Sequence, residues 1–277
     1  MESSIDTSKK LNNGIEIPVL GFGTWETPAG AVGLRAMLDA FEAGYRHIDT
    51  AAFYGNEATV GKAVRDSGLE RSGIFVTTKV WNSDQGYENT LRAGDAGLVR
   101  LGLDYVDLYL IHWPVAGLRL ETWRALEKLL EDGKTRAIGV SNYMVGHLDE
   151  LAAHSRVTPA INQIELHPYN YLSRRGVIDY CFERGIAVEA YCPLARGARL
   201  SDTRLAEFAA KYLKSPAQVM LRWSLQHGFI VIPKSIHRER IFANADIFDF
   251  VLDDADMAAI DSFDENLVTT WDPTNAP

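Results

Sequence analysis

Short apolar runs alternate with longer amphipathic stretches along most of this sequence. The apolar runs are typical of strands that are buried on both faces of a sheet. They predict strands at residues 45–50, 74–79, 106–112, 136–141, 160–166, 186–191, 229–233 and, more weakly, 245–250. The amphipathic stretches predict helices at about residues 30–43, 57–67, 88–102, 119–132, 147–154, 173–184, 203–213, 216–227, 238–243 and 253–262. Alternating strands and helices indicate the α/β fold class with a parallel sheet.

The repeated strand and helix unit predicts a closed (β/α)8 TIM barrel. No linker or low-complexity segment interrupts the repeats, so residues 1–277 are expected to form a single domain. The triplet Asn12-Asn13-Gly14 favours a tight turn, which predicts a hairpin at residues 10–25 that closes the bottom of the barrel. The alternative, an open doubly wound sheet, would need a GxGxxG turn after its first strand. The segment Gly21-Phe22-Gly23-Thr24 lacks the third glycine and follows the hairpin.

Composition narrows the class of protein further. The 277 residues are 47% hydrophobic and 23% charged, as in ordinary globular proteins with a large core. The sequence has no run of about 18 apolar residues, and Met1-Glu2-Ser3-Ser4 lacks the features of a secretory signal. Cys181 and Cys192 both lie in hydrophobic segments, which predicts buried free thiols. We therefore expect a cytoplasmic protein that spans no membrane, and a net charge of −9 argues against nucleic acid as its main partner.

Polar and ionisable residues stand at the carboxyl-terminal ends of the predicted strands. In a barrel these ends meet at one mouth, where the loops hold the chemistry. Such groups are costly to bury unless they pair, so we expect them to face one another. They are Asp49, Lys79, His112, Ser141 with Asn142, Gln163 with Glu165 and His167, Glu189, Tyr191, and Lys234 with Ser235.

Tyr54 follows the first of these strand ends and predicts a proton-handling site. A free tyrosine has a pKa of about 10, too high for an efficient acid at neutral pH. Lys79 within about 4 Å would lower that pKa by up to about three units before burial opposes the change. Asp49 would hold Lys79 in place, and His112 would orient a carbonyl oxygen. Taken singly, each residue is more often half of a structural ion pair or a satisfied core histidine, but their joint placement on three successive strand ends favours function.

Aromatic residues and a basic segment surround this set. Trp25, Phe53, Trp81 and Trp113 predict an apolar pocket for a carbonyl substrate, although any of them could simply fill the core. The segment at residues 234–240 carries three cations at a position where barrels often bind phosphate. Tyr191 offers a ring face for a flat heterocycle. These features predict a phosphorylated, planar cofactor that delivers hydride to a carbonyl; no metal site is predicted.

Several segments together resemble the motifs of the aldo-keto reductase superfamily. They are residues 47–57, Thr78-Lys79-Val80-Trp81, His112-Trp113-Pro114, Gly139-Val140-Ser141-Asn142, residues 162–168 and Pro233-Lys234-Ser235, in the family's order. The sequences Asp49-Thr50-Ala51-Ala52 and Asp249-Phe250 are most similar to those of the bacterial branch that includes 2,5-diketo-D-gluconate reductases. The resemblance implies NADPH-dependent reduction of aldehydes and ketones, with diketo sugar acids or α-dicarbonyls as candidate substrates, by a monomer.

The resemblance also implies roles for individual residues. Tyr54 becomes the general acid, Lys79 and Asp49 tune its pKa, and His112 orients the carbonyl. Ser141, Asn142 and Gln163 would hold the nicotinamide carboxamide, and Tyr191 would stack on the ring. Lys234, Ser235 and Arg240 would bind the 2′-phosphate, with Asn244 at the adenine. Thr24 and Leu194 complete the expected cofactor site.

This chain departs from the family pattern in three places. Many members carry Glu where Ala243 stands, which affects one adenine contact, and Cys192 replaces a serine after the stacking tyrosine. The C-terminal segment, residues 266–277, is short, which suggests an open substrate site with Trp271 closing one side.

Two other functions remain open at this stage. One is an aldolase-like barrel in which Lys79 forms a Schiff base, although that chemistry needs a depressed lysine pKa and Asp49 should raise it. The other is a non-catalytic redox sensor that binds NADP without turning over.

Overall fold

The computed structural model describes residues 4–276, and these residues form a barrel of parallel strands surrounded by helices. The strands are β1 Ser8–Lys10, β2 Glu16–Pro18, β3 Phe22–Gly23, β4 His47–Asp49, β5 Phe75–Val80, β6 Val106–Ile111, β7 Thr135–Ser141, β8 Ile161–Glu165, β9 Ala187–Tyr191 and β10 Ile230–Val231. The helices are α1 Ala31–Glu42, α2 Glu57–Asp66, α3 Tyr87–Leu101, α4 Arg119–Glu131, α5 Val145–His154, α6 Arg175–Glu183, α7 Thr203–Tyr212, α8 Pro216–Gln226, α9 Arg238–Ala245 and α10 Asp254–Asp261.

Eight of the described strands form one sheet, in the order β10-β9-β8-β7-β6-β5-β4-β3. Each neighbouring pair in this sheet is parallel. The two edges meet at a parallel bridge between Leu20 and Val231, where Gly21 N donates to Val231 O at 2.8 Å. Gly23 N likewise donates to Pro233 O at 3.1 Å. The sheet is therefore closed, and the predicted (β/α)8 barrel is confirmed.

The prediction of a strand at residues 245–250 is wrong. Helix α9 extends to Ala245, and the segment that follows is irregular, with Ile247 buried against the core. The eighth position in the barrel belongs instead to β3, which has two residues. A two-residue strand with a glycine produces no apolar run, whereas Ile247, Phe248 and Phe250 produce one because they pack on helices.

Side chains alternate between the inside and the outside of the barrel along each strand, as in any β-strand. Toward the bottom, the interior is apolar and contains Phe75, Leu108, Ala137, Ile161, Ala187 and Ile230. Toward the carboxyl-terminal ends the inward positions become polar, including Lys79, Gln163 and Glu189. The outward positions, such as Val76, Val140 and Val188, join the larger core beneath the helices.

The N-terminal hairpin is shorter than predicted and consists of β1 and β2. Leu11 and Ile17 of the hairpin pack into the apolar cluster inside the barrel. Asn12 Nδ2 donates to Pro159 O at 2.9 Å, and Asn13 Nδ2 donates to Arg136 O at 3.1 Å, so the turn is tied to the starts of two strands. The hairpin closes the bottom, as predicted, and leaves the opposite end as the open mouth.

Two predictions from composition concern membrane-spanning helices and the state of the cysteines. Helices long and apolar enough to cross a membrane are absent from the described part of the chain. Cys181 and Cys192 are free thiols; Cys181 is buried, but Cys192 is only partly so. Full burial of Cys192 was therefore a wrong expectation, because this residue begins the loop that leaves β9 at the mouth.

Candidate active site

A buried ion pair lies at the centre of the barrel mouth. Asp49 ends β4 and is level with Thr77 on the neighbouring β5, so Lys79, two residues farther along, points inward on the same side of the strand one step nearer the mouth. Lys79 Nζ donates to Asp49 Oδ1 at 2.6 Å, to Asp49 Oδ2 at 2.7 Å and to Thr50 O at 2.9 Å. Burial raises the pKa of the Asp49 carboxyl, while the charge of Lys79 opposes that rise.

Tyr54 lies beside this pair on a single turn of 3-10 helix, Ala52–Tyr54. Asn56 fixes the turn: it accepts a hydrogen bond from Thr50 Oγ1 at 2.7 Å and donates to Thr24 O at 2.9 Å. The Tyr54 hydroxyl is thereby held 3.4 Å from Lys79 Nζ. The structure thus brings together the acid, the lysine and the phenol that the sequence placed at the mouth.

The expected lowering of the Tyr54 pKa is wrong for this structure. Burial is the largest cause and the negative charge of Asp49 the second largest, and together they raise the pKa of Tyr54 well above its usual value near 10. Lys79 makes its shorter hydrogen bonds to Asp49 and Thr50, and the charge of Asp49 opposes the effect of the ammonium on the phenol. Tyr54 is therefore protonated at neutral pH, which is the form that a proton donor needs.

His112 provides a neutral second group at the same place. Its ring lies 5.5 Å from the Tyr54 ring, nearly perpendicular to it. Burial, together with the positive charge of Lys79, lowers the pKa of His112 well below its usual value. A neutral imidazole carries one N–H donor, which suits it to hydrogen-bond a carbonyl oxygen without protonating it.

Aromatic side chains form the wall around His112. Phe53 and Trp81 stack with ring centroids 3.8 Å apart, and Trp81 lies 5.0 Å from His112. Trp113 follows His112 in the sequence, and its ring centroid lies 4.6 Å from that of Trp271. Phe53 is 55% exposed, and none of these described side chains is fully buried, which disfavours simple core filling.

Trp25, the fourth predicted pocket residue, contacts the loop that follows β9 rather than the rings around His112. Its ring lies under the Arg196 guanidinium at 4.8 Å, and Arg196 is paired with Glu26 at 3.0 Å. Within residues 4–276, no ring contact links Trp25 to Phe53, Trp81 or Trp113. Trp25 therefore lies beside the loop that follows β9, and its expected part in the substrate pocket stays a prediction.

The polar residues expected at the nicotinamide form a connected row. Ser141 Oγ donates to Gln163 O at 2.9 Å, and Asn142 Nδ2 donates to Ser141 Oγ at 3.1 Å and to His112 O at 3.0 Å. Tyr191 OH donates to Asn142 Oδ1 at 2.8 Å. Asn142 adopts a left-handed conformation, with φ at 64°, which turns the chain sharply as it leaves β7. The row of Ser141, Asn142, Gln163 and Tyr191 therefore lies beside the acid and base residues, which are Asp49, Tyr54, Lys79 and His112.

The loop after β9 is unusually constrained. Cys192, Ala195 and Arg196 all have positive φ values, although none of them is glycine. Leu194, between them, is half-buried and packs against the core. On the other side of the mouth, Thr24 is buried and its hydroxyl donates to Asp49 O at 2.8 Å. Thr24 therefore supports Asp49, and its expected contact with a cofactor stays a prediction.

The basic segment after β10 contains two kinds of cation. Arg238 begins α9 and forms ion pairs with Asp39 and Glu42 on α1. Lys234 and Arg240, in contrast, have no side-chain hydrogen bond or ion pair to any residue that the structure describes. Two unpaired cations beside a helix N-terminus fit a dianionic phosphate.

Two further predicted residues belong to this segment. The Ser235 hydroxyl accepts from His237 N at 3.1 Å and so shapes the turn that leads into α9. Asn244 is nearly buried on the same helix. Their expected contacts with a phosphate and an adenine stay predictions.

A tether for the C-terminal segment is a feature that the sequence did not reveal. The Glu165 carboxylate accepts hydrogen bonds from the backbone N–H groups of Thr269 and Thr270, at 2.7 and 3.1 Å, and from both hydroxyls. Thr270 Oγ1 also lies 3.1 Å from Tyr191 OH. The tether places Trp271 against Trp113. The adjacent Thr269 and Thr270 before Trp271 were the only signal that could have indicated it.

Comparison with known proteins agrees with this geometry. Residues 19–265 match the Aldo/keto reductase family. The chain is 49% identical to the glyoxal reductase of Bacillus subtilis over 266 residues, covering 96% of each chain. It superposes with a TM-score of 0.89 on an aldo/keto reductase from Brucella melitensis that is 50% identical, covering 93% and 99% of the two chains. An aldo-keto reductase complexed with NADPH gives a TM-score of 0.90 at 36% identity, covering 97% and 91%.

The chain belongs to the aldo/keto reductase family. The family predicted from the sequence motifs is therefore confirmed, together with its class of enzyme, an oxidoreductase that acts on carbonyl groups. The closer likeness to 2,5-diketo-D-gluconate reductases stays a prediction.

Proposed function

We propose that this protein reduces aldehydes and ketones to alcohols with NADPH, using Tyr54 as the proton donor. The observation that carries the proposal is the buried Asp49–Lys79 pair held against the Tyr54 hydroxyl, beside a neutral His112. The aromatic wall around His112 offers an apolar place for the substrate carbonyl. The solved relative that binds NADPH supports the choice of cofactor.

The residues of the mouth fit that cofactor. Lys234 and Arg240 are unpaired within residues 4–276 and can neutralise a 2′-phosphate, which NADH lacks. The row of Ser141, Asn142 and Gln163 offers hydrogen-bonding groups for a carboxamide, and Tyr191 is fixed by hydrogen bonds through its hydroxyl. When bound, NADPH supplies the hydride.

The protein residues handle the charge that develops on the substrate oxygen. Tyr54 is protonated and donates a proton to that oxygen as negative charge appears on it. The hydrogen bond from Lys79 stabilises the tyrosinate that remains, because the cation lies at 3.4 Å in a buried setting. Asp49 holds Lys79 in this position, and His112 donates to the same oxygen and orients the carbonyl.

The charges near the mouth favour a small, uncharged substrate. Arg196 and Arg199 are paired with Glu26 and Glu265, at 3.0 and 2.8 Å. Neither arginine therefore offers an uncompensated charge to a carboxylate. The similar glyoxal reductase acts on an uncharged dicarbonyl, by its name. We infer that α-dicarbonyls are better substrates than diketo sugar acids.

We further infer that the protein acts as a cytoplasmic monomer with one domain, residues 1–277. The composition, the two free cysteines and the uninterrupted barrel support this inference. Light scattering after size exclusion would give the mass in solution, and a value near twice 30.8 kDa would contradict the monomer.

The Schiff-base alternative is disfavoured by the contacts of Lys79. Its ammonium makes three short hydrogen bonds, two of them to a carboxylate, so a free lone pair for attack on a carbonyl is costly. The alternative of a non-catalytic sensor gains no specific support, because all four predicted acid and base residues meet at the mouth.

The decisive experiment measures NADPH oxidation at neutral pH with α-dicarbonyls, simple aldehydes and diketo sugar acids. Wild type should turn over, and Tyr54→Phe should lose about 100-fold or more in kcat while still binding NADPH. Tyr105→Phe, at the opposite end of the barrel, is the matched control and should behave as wild type. Cofactor binding without turnover on any carbonyl would instead support the sensor. Unchanged kcat in Tyr54→Phe would exclude Tyr54 as the donor.

A further inference from the structure

Glu189 is a buried carboxyl group that the proposed reaction does not use. It points into the barrel from β9, and its side chain is fully buried. Glu189 Oε2 accepts a hydrogen bond from Gln163 Nε2 at 2.7 Å, and the same nitrogen donates to Asp49 Oδ2 at 2.9 Å. Gln163 therefore lies between two carboxyl groups, one of which belongs to the ion pair with Lys79.

These two hydrogen bonds determine which way the Gln163 amide points. The amide nitrogen has two hydrogens, and each has a carboxyl oxygen as its acceptor. The reverse orientation would place the amide oxygen against the Asp49 carboxylate, which would repel it. Gln163 consequently keeps only an acceptor, its amide oxygen, for any ligand at the mouth.

The surroundings of Glu189 show why this carboxyl is tolerated in the interior. Burial, together with the negative charge of Asp49, raises the pKa of Glu189 to about 8. Its other oxygen lies 3.6 Å from Nε2 of His47, whose pKa burial lowers to about 3. Glu189 is therefore largely a neutral acid at neutral pH, and a neutral acid still accepts from Gln163 through one oxygen. Asp49 is therefore the carboxylate whose negative charge pairs with Lys79.

We propose that Glu189 is a positioning residue that, with Asp49, fixes the Gln163 amide so that its oxygen receives the carboxamide N–H of the nicotinamide. The proposal rests on the proposed function, because it assumes that the nicotinamide binds beside Gln163. A carboxamide held in one orientation fixes which face of the nicotinamide ring meets the carbonyl carbon. Glu189 should therefore affect the stereospecificity of hydride transfer, although it touches neither cofactor nor substrate.

Two substitutions separate the acceptor role from mere filling of space. Glu189→Leu has a similar size but no acceptor, so one Gln163 N–H loses its partner and the amide is held by Asp49 alone. We expect the KM for NADPH to rise about tenfold, as for one buried hydrogen-bonding group left unsatisfied. Glu189→Gln keeps a carbonyl oxygen toward Gln163 and should stay within about twofold of wild type.

The discriminating readout is the transfer of deuterium from NADPH labelled at one or the other C4 position. Wild type and Glu189→Gln should transfer label from one position alone, whereas Glu189→Leu should transfer from both. Val188→Ala, on the outward face of the same strand, is the control for lost stability and should keep full stereospecificity. If Glu189→Leu does not fold, Glu189→Asp can replace it. Its side chain is one methylene shorter, which moves the acceptor away from Gln163, and we expect the same result.

Failure of this inference can be told from failure of the proposed function. If wild type does not oxidise NADPH with any carbonyl, the proposed function fails. If wild type turns over and Glu189→Leu keeps both its KM and its stereospecificity, the positioning role alone is wrong. Gln163→Leu should reproduce the loss seen in Glu189→Leu, and normal stereospecificity in Gln163→Leu would also overturn the inference.

Discussion

At the scale of single residues, a cationic side chain can bind a phosphate only if the fold does not already pair it with a carboxylate. Arg238 and Arg240 are two residues apart, and the sequence gives no reason to rank them. The fold places Asp39 and Glu42 of α1 beside Arg238, whereas Arg240 is unpaired in the described structure. The prediction of Arg240, rather than Arg238, as a phosphate ligand came from the family resemblance, and the geometry supplies its physical reason.

This difference leads to a matched pair of substitutions. Arg240→Ala should raise the KM for NADPH about tenfold or more and leave the KM for NADH nearly unchanged, because only NADPH carries the 2′-phosphate. Arg238→Ala should leave the preference for NADPH intact and slightly lower the melting temperature. Steady-state kinetics with both cofactors would show this, and equal loss of preference in the two variants would contradict it.

Glycine at position 21 leads to a second prediction at this scale. A Cβ atom there would lie 2.4 Å from His47 Nδ1, so Gly21→Ala forces a buried ring to move. We expect a loss of about 1–3 kcal/mol in the free energy of unfolding. Gly146→Ala is the control: a Cβ would meet nothing within 4 Å, and the change should be neutral or gain up to about 1 kcal/mol. Denaturant unfolding measures both, and equal stabilities would contradict the argument.

At the scale of elements, Glu165 links a strand end to the C-terminal segment. Burial acts to raise the pKa of Glu165, but hydrogen bonds from His167, Thr269 and Thr270 outweigh it and lower the pKa to about 2. The ordinary value is 4.5, so the charged carboxylate is the form that the folded state prefers. Its stabilising effect is complete above that ordinary value and is lost as the pH falls toward 2.

The tether can therefore be tested by its dependence on pH. Glu165→Gln should be less stable than wild type by up to about 3 kcal/mol near neutral pH, and the gap should shrink below about pH 4.5. Limited proteolysis should also cut the C-terminal segment faster in the variant. Glu183→Gln, at an exposed position, should show no such gap. A gap that does not change with pH would mean that the charge of Glu165 is not responsible.

The elements also show how far the sequence could predict this molecule. Long strands such as β5 and β6, and the polar residues near their ends, follow from local pattern, because each strand is a six-residue run that is buried on both faces. Strand β3 could not be found in this way, since its two residues are defined by pairing with distant segments. The same limit hid the contacts of Glu165 with Thr269 and of Trp25 with Arg196.

The protonation of Tyr54 shows a different limit. The sequence predicted the neighbours of Tyr54, and it predicted that Lys79 lowers the Tyr54 pKa while burial opposes that change. It could not predict how deeply the hydroxyl is buried or how completely Asp49 compensates Lys79. These two quantities decide the outcome, and they raise the pKa instead of lowering it.

At the scale of the whole molecule, the two ends of the barrel have separate tasks. The bottom is filled by Leu11 and Ile17 of the hairpin, which pack on the apolar interior. The mouth at the other end carries Asp49, Tyr54 and Lys79. Stability at the bottom should therefore be separable from chemistry at the mouth.

Ile17→Ala tests that separation. Ile17 is fully buried, so the substitution should cost roughly 2–5 kcal/mol of unfolding free energy. The kcat and the KM for NADPH should stay within about twofold of wild type at a temperature where the variant is folded. Val99→Ala, at a position that is 81% exposed, should change the stability by less than about 0.5 kcal/mol. A large change in KM for Ile17→Ala would mean that the two ends are coupled.

The closure of the barrel by Leu20 and Val231 has a consequence for the protein during its synthesis. The segments that carry Asp49, Lys79 and His112 leave the ribosome early. At that time β10, which closes the sheet, has not yet been synthesised. A nascent chain can therefore hold the whole acid and base set and still lack an enclosed interior. In a timed translation reaction, activity should appear only once chains have been completed and released.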